Sequence, residues 1–251
     1  MGLLSCIVDV RYVLLRINVR NECTRLLFMR DTLQHGPDIS IALLDQHCIL
    51  RDGLEVLLGG VEGFSVVGSV SKPKELLKCL DLMPVGVVLM ELIFEGDDTL
   101  RNLTDWSGAY PNAKFLVLSQ LPEGIYAKRV LSAGGSGYLM KSLSASMLIE
   151  GIRRVSDGEV VVSSFMAGQL LANLSKRTSR DGAYRIEQLT NRELNVLRLV
   201  GQGHATAAIA TQMGISKKTV STFKERIKAK LSLSGSLQLT EVALQYLGRF
   251  Q

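Results

Sequence analysis

Between residues 39 and 155, five short apolar runs alternate with segments of helical periodicity. The runs are 39–44, 64–70, 85–90, 114–119 and 137–140. A strand buried on both faces loses the in-out alternation of a half-exposed strand and reads as a short apolar run between turn signals. The intervening segments place apolar side chains three and four residues apart, as in Ile49, Leu50, Leu54, Leu57 and Leu58. Helices are expected over 49–58, 73–80, a polar stretch ending near Tyr110, 122–133 and 144–155, with Pro73 suited to a first helical turn. Five such units predict an α/β fold with a doubly wound, five-stranded parallel sheet covered on both faces. In that architecture the functional crevice lies beyond the C-terminal ends of the strands. Those ends carry Asp45, Glu91, Ser119 and Lys141.

The chain changes character after residue 157. Residues 158–185 read as a connector, with a short helix over 163–174 and then a polar, basic stretch containing Gly182, the composition of a flexible linker. From residue 186 onward four helices and no strands are expected. Thr190 followed by Glu193 is a capping box ahead of an apolar-periodic run, and Gly201 and Gly203 are expected to end that helix. Thr206 to Met213 is a second short helix, Gly214 makes a turn, and Ser216 caps a third helix running to about Leu231. Two helices of this length around such a turn match helix-turn-helix geometry. A fourth helix, 236–247, carries Leu237, Leu239, Val242, Ala243 and Leu247, which can close a small core or offer a dimer surface.

Charge follows this division. Residues 186–251 hold nine Lys/Arg against four Asp/Glu, whereas residues 39–158 hold eleven against fourteen. An acidic body with a basic end suits a chain of which one part meets a polyanion. Six of the nine basic residues lie in the third helix: Lys217, Lys218, Lys224, Arg226, Lys228 and Lys230. Its 3.6-residue period puts Val220, Ile227 and Leu231 on one side, and Lys218, Thr222, Glu225 and Ala229 on the other, with Ser221 at its edge. Cations beside the groove would neutralise phosphates while outward side chains meet base edges. The expected DNA-binding set is therefore Lys217, Lys218, Ser221, Thr222, Lys224, Glu225 and Lys228, with double-stranded DNA as partner.

Residues 1–38 fit neither a clean helix nor a clean strand. They read as an appended extension, spurious or disordered, with Met29 as an alternative start; a regulatory extension or membrane-surface helix is the competing reading. No apolar run reaches the ~18–20 residues that a membrane span needs, and no membrane partner is expected. The four cysteines, Cys6, Cys23, Cys48 and Cys79, form no CxxC pair and no zinc spacing with histidine, which suggests a reducing cytoplasm. No nucleophile–base set or glycine-rich phosphate loop appears, so an enzyme is not expected.

Residues 188–247 resemble the LuxR-type helix-turn-helix. The likeness rests on Leu189-Thr190-x-Arg192-Glu193, Ile209-Ala210, Gly214-Ile215-Ser216 and Lys218-Thr219-Val220. Residues 39–155 resemble a response-regulator receiver domain, most clearly over Ala133-Gly134-Gly135-Ser136-Gly137-Tyr138-Leu139-Met140-Lys141. Together they resemble the NarL/FixJ class of two-component regulators. The resemblance implies a DNA-binding transcription regulator, acting as a homodimer, with a sensor kinase or other regulatory protein as partner. It assigns the switch hydroxyl to Ser119, the switch aromatic to Tyr138 and the pocket lysine to Lys141.

The phosphorylation site departs from the family. Asp45-Gln46 stands where receivers have two Mg²⁺-holding acids, and Glu91 where they have the phosphoacceptor Asp. Phosphoryl transfer depends on positioning and on metal charge, and Mg²⁺ gains most from carboxylates. One carboxylate is missing at Gln46, and Glu91 carries its own about 1.5 Å farther out, where a shift of ~1 Å already matters to near-attack geometry. No cofactor is expected, although weak Mg²⁺ binding at Asp45 and Glu91 stays open. Glu91 could instead stand near Lys141 and Ser119 as a permanent negative group that biases a two-state switch. The expectation is control independent of ordinary aspartyl phosphorylation. The alternatives are an inert packed pocket, an orthodox regulator phosphorylated at Glu91 or at Asp97 or Asp98, and a sequestration module that binds DNA weakly.

Overall fold

Each apolar run enters a parallel sheet of order β2-β1-β3-β4-β5. The structure, a computed structural model, describes residues 38–94, 99–175 and 186–248. The expectations for 1–37, for Asp97 and Asp98, and for the basic stretch 176–185 lie outside the described residues. The strands are β1 (Ile39–Leu44), β2 (Phe64–Val70), β3 (Val87–Met90), β4 (Lys114–Ser119) and β5 (Gly137–Met140). The helices between them are α1 (Cys48–Gly59), α2 (Pro73–Leu82), α3 (Thr99–Ala109), α4 (Glu123–Ser132) and α5 (Ala145–Ser156).

Two packed layers explain why the runs are apolar throughout. Leu54 and Leu58 of α1 and Ile152 and Val155 of α5 close over Ile41, Leu43, Val87 and Leu116 on one face. On the other, Leu76 of α2, Leu103 of α3 and Val130 of α4 cover Ala42, Val88, Phe115 and Val117. Each fully buried Leu or Phe contributes roughly 1.5–3 kcal/mol relative to exposure.

Strand β3 is shorter than its apolar run of 85–90. The Gly86 N–H donates to both the carbonyl and the hydroxyl of Ser40, each at 2.9 Å, and ladder pairing begins only at Val87 opposite Ile41. Val85 stays buried as the approach to the strand. After α5 the chain returns to the open edge of β5, where Val161 bridges Gly137 in parallel and accepts the Tyr138 N–H at 2.8 Å. Helix α6 (Ser164–Ser175) follows, anchored by buried Met166 and by the Ser163 N–H on Glu123 Oε1 at 2.7 Å.

The C-terminal helices are α7 (Asn191–Gly201), α8 (Thr206–Gln212), α9 (Lys217–Leu231) and α10 (Ser236–Gly248), preceded by a 3₁₀ turn at Ile186–Gln188. The capping box is formed: Thr190 Oγ1 accepts from Glu193 N at 3.3 Å and Glu193 Oε2 accepts from Thr190 N at 2.7 Å. Ser216 Oγ caps α9 by accepting the Thr219 N–H at 3.0 Å. Gly201 is the last residue of α7, as expected, and Gln202 follows as its C-cap. A Cβ there would sit 2.6 Å from the Ala243 carbonyl oxygen, so the glycine permits close approach of α10. Gly203, with φ +82°, makes the turn. In α10, Leu239, Val242 and Ala243 close the core, while Leu237 is 75% exposed and takes no part in it.

Candidate functional site

The strand order places β1 between β2 and β3, so the crevice opens beyond the ends of β1 and β3. Asp45 follows β1, Glu91 follows β3, Ser119 ends β4 and Lys141 follows β5. Parallel strands bring these four side chains together although they span 97 residues of sequence. Lys141 Nζ lies 2.6 Å from Asp45 Oδ2 and 2.7 Å from Glu91 Oε2. The Ser119 hydroxyl donates to Glu91 Oε1 at 2.5 Å, and the Leu92 N–H to the same oxygen at 2.6 Å. Asp45 Oδ1 takes the His47 N–H at 2.8 Å and faces His47 Nδ1 at 2.8 Å. Arg51 donates to the Asp45 carbonyl at 2.6 Å.

Both carboxylates are buried, Asp45 4% and Glu91 7% exposed. Burial alone would raise the Asp45 carboxyl; the Lys141 ammonium and the His47 N–H outweigh it and hold it below the ordinary aspartate range. Burial likewise disfavours the Lys141 ammonium, but hydrogen bonds and charge from Asp45 and Glu91 win and keep it above the ordinary lysine value. The cluster is therefore a mutually stabilised, charged network.

The family implies Mg²⁺ here, and the residues do not fit it. All four carboxylate oxygens of Asp45 and Glu91 already face protein hydrogen-bonding or cationic groups. Gln46 is exposed. Among the described residues no group of three or more His, Cys, Asp or Glu is placed to hold a metal ion.

The pocket connects directly to neighbouring structure. Ser119 Oγ also accepts the Leu121 N–H at 3.2 Å, and the Leu121 carbonyl accepts the Tyr138 hydroxyl at 2.8 Å. Tyr138 is fully buried, and burial raises its phenol well above the ordinary value.

The second site is the outer face of α9. Lys217, Lys218, Ser221, Thr222 and Glu225 are exposed, opposite buried Val220, Ile227 and Leu231. Ser221 and Thr222 back-bond their hydroxyls to the carbonyls of Lys217 and Lys218 at 3.1 and 3.0 Å. Lys217 and Lys218 make no ion pair among the described residues. Lys228 pairs with Glu225 at 2.8 Å. Lys224 is different: half-buried, it donates to Thr206 Oγ1 of α8 at 2.9 Å, and burial lowers its ammonium below the ordinary value. It ties the two helices of the motif together. Lys230 pairs with Glu193 at 2.6 Å, so one carboxylate both completes the α7 cap and anchors α9. Burial pushes Glu193 up, but Lys230 and the Thr190 cap bring it below the ordinary glutamate range.

A third group of residues gave no signal in the sequence. Arg129 of α4 donates to the carbonyls of Leu189 and Glu187 at 2.8 and 3.1 Å and to Asn191 Oδ1 at 2.9 Å. The hydroxyls of Tyr246 (α10) and Tyr126 (α4) meet at 3.1 Å, both buried. These contacts join α4 to α7 and α10, and one buried apolar cluster runs across the junction. His47 had a legible cue, since an Asp side chain readily reaches the N–H two residues on. Arg129 had none, because its partners lie about sixty residues away in sequence.

Comparison with known proteins bears on both sites. The response regulator receiver domain family matches residues 41–153, and the bacterial regulatory proteins of the luxR family match residues 187–243. Transcriptional regulatory protein LiaR of Bacillus subtilis is 31% identical over 200 residues, covering 80% of this chain and 94% of its own length. Response regulator GacA of Pseudomonas protegens is 30% identical over 209 residues, covering 83% and 96%. RcsB from Salmonella enterica serovar Typhimurium, solved bound to promoter rprA with the phosphomimetic BeF3-, shares the fold, with a TM-score of 0.59 at 21% identity over 82% of this chain and 98% of that one. No helix among the described residues is long and apolar enough to cross a membrane. With two relatives at this identity aligned along nearly their whole length, the chain belongs to the response regulators that join a receiver to a LuxR-type helix-turn-helix, the DNA-binding transcription regulators of two-component systems.

Proposed function

We propose that this chain regulates transcription as a homodimer on double-stranded DNA, and that its DNA binding is set without ordinary aspartyl phosphorylation. The observation that carries the second point is the clamp on Lys141: its ammonium bridges Asp45 and Glu91 while Ser119 donates to Glu91. Glu91 thus permanently supplies the acceptor that engages both groups the family uses to sense a phosphoryl group. A switch whose lysine and hydroxyl are already engaged is biased toward one state. Transfer to Glu91 would require breaking three contacts to its carboxylate and recruiting a metal to a pocket with no free carboxylate oxygen.

The exposed Lys217, Lys218, Ser221 and Thr222 support DNA recognition by α9, the lysines toward phosphates and the hydroxyls toward base edges. Lys228 and Glu225 form a pair at the edge of that face, and Lys224 supports it from behind. The structure of RcsB bound to a promoter supports the same ligand class. Work on DNA places the protein in the cytoplasm, and a kinase or other regulatory protein contacting the receiver is the expected protein partner.

The test is intact-mass analysis of the full-length protein after incubation with acetyl phosphate and Mg²⁺, with gel shifts on genomic fragments run in parallel. The expected result is no phosphoryl adduct and specific binding by untreated protein that survives competitor DNA. A stoichiometric adduct at Glu91 that enhances DNA binding would overturn the reading.

A further inference from the structure

We propose that the cleft between the receiver and the helix-turn-helix is a binding site for a small monocarboxylate with a short apolar tail. The cleft has a volume of about 60 Å³, room for about four to six water-sized groups. Leu121 and Tyr126 from the receiver and Met213 and Ile215 from the helix-turn-helix supply apolar walls. Its polar lining is Thr99, Asn191, Arg192 and Asn195.

Each of those four has hydrogen-bonding capacity left, the Thr99 hydroxyl as donor or acceptor and the others as donors only. Thr99 opens α3 and is 3% exposed, and its hydroxyl is the buried side-chain polar atom without a partner among the described residues. Such a group has lost water and gained nothing, so a ligand that reaches it recovers the full value of the bond. Asn191 Oδ1 accepts from Arg129, and Asn195 Oδ1 accepts from Arg198 at 2.8 Å. A guanidinium only donates, so these contacts fix the orientation of both amides. What remains on each is the amide N–H₂, a donor. Arg192 adds a permanent cation. A site with two amide donors, a hydroxyl and a guanidinium above apolar walls is complementary to a carboxylate carrying a few methylenes.

Occupancy would bridge α3 and the chain after β4 to the start of α7 and to the turn before α9. The site does not depend on whether Glu91 accepts a phosphoryl group. Its test reads binding directly and uses neither DNA nor a phosphodonor, so its failure is distinguishable from failure of the proposed function.

The experiment is calorimetric titration of the full-length protein with sodium butyrate at constant ionic strength, with 1-butanol and n-butylamine as probes of equal length. Saturable binding of butyrate alone is expected. Arg192→Gln, at an exposed position, should weaken it about tenfold, the effect of losing one charged hydrogen bond. Thr99→Val keeps the side-chain shape and should also weaken butyrate about tenfold, while leaving the melting temperature of the free protein unchanged or higher because an unsatisfied hydroxyl is gone. No saturable butyrate binding, equal binding of all three probes, tighter binding of butylamine, or butyrate affinity unchanged in both variants would each overturn the proposal.

Discussion

Replacing Lys141 by Met should invert the pH dependence of stability. Met matches the apolar stem of the lysine and ends one atom short, so the ammonium is lost with little change in the rest of the side chain. In the native pocket each N–O contact, at 2.6 and 2.7 Å, is worth about 6 kcal/mol of Coulomb attraction at an effective dielectric of about 20, set against the desolvation of three charged groups. Removing the partner of buried charges costs about 3–5 kcal/mol, and here it leaves two carboxylates facing each other. The native Asp45 carboxyl, held below its ordinary value near 3.8, contributes stability that is present above that value and is lost as pH falls through the depressed one. Lys141, held above its ordinary value of 10.5, contributes stability present below that value and lost as pH rises through the elevated one. The native clamp therefore holds across the neutral range. In Lys141→Met, burial acts on Asp45 without the ammonium, its carboxyl rises above the ordinary value, and the pocket gains stability by taking up a proton as pH falls. Urea denaturation should show a deficit of about 3–5 kcal/mol near pH 7.5 that shrinks steadily toward about pH 4.5. A deficit that stays constant across that range, or one below about 1 kcal/mol at neutral pH, would refute the argument that Lys141 holds two buried charges.

Arg129→Ala should cost about 2 kcal/mol, because it leaves the carbonyls of Glu187 and Leu189 without their guanidinium donor; hydrogen exchange at the start of α7 should accelerate. Thr190→Ala removes the α7 cap and should destabilise the protein by about 1 kcal/mol, read from the melting temperature. Lys218→Ala should weaken binding to all DNA sequences alike and flatten the salt dependence by about one unit of log–log slope. Lys224→Ala, by contrast, should lower stability and leave that slope nearly unchanged, since Lys224 is committed to Thr206; equal slopes for the two variants would count against this division of labour.

The sheet and the pocket were legible because both follow from periodicity and topology. A strand buried on both faces reads as an apolar run in any context, and a parallel sheet gathers the residues at its strand ends. Glu91, Lys141 and Ser119 were therefore predictable neighbours, while the second half of the clamp, Lys141 on Asp45, needed coordinates. Caps were legible for the same reason: Thr190 and Glu193 act within one helical turn. What packing decides was not. Six lysines and arginines on α9 look alike in sequence, yet Lys224 and Lys230 are tied inward and Lys217 and Lys218 are not. Gly201 read as a helix stop, and α7 does end there, but a sequence does not show that α10 crosses at that point. Arg129 was silent because its role exists only once α4 and α7 have met.

That meeting bears on how DNA binding can be controlled. The receiver reaches the helix-turn-helix through the start of α7, bound by Arg129, and through Tyr246 of α10. Neither contact involves the outer face of α9, where Lys217, Lys218, Ser221 and Thr222 stay exposed. Control by covering the recognition face is thus not what this arrangement provides. The chain of contacts from Glu91 through Ser119 to Leu121 ends instead on the wall of the cleft that holds Met213 and Ile215, immediately before α9. We expect a shift of Leu121 to be passed to Met213 and Ile215 and to change the orientation of α9 relative to the receiver. For a regulator binding as a dimer, orientation is decisive, because two recognition helices must enter successive major grooves with a fixed spacing.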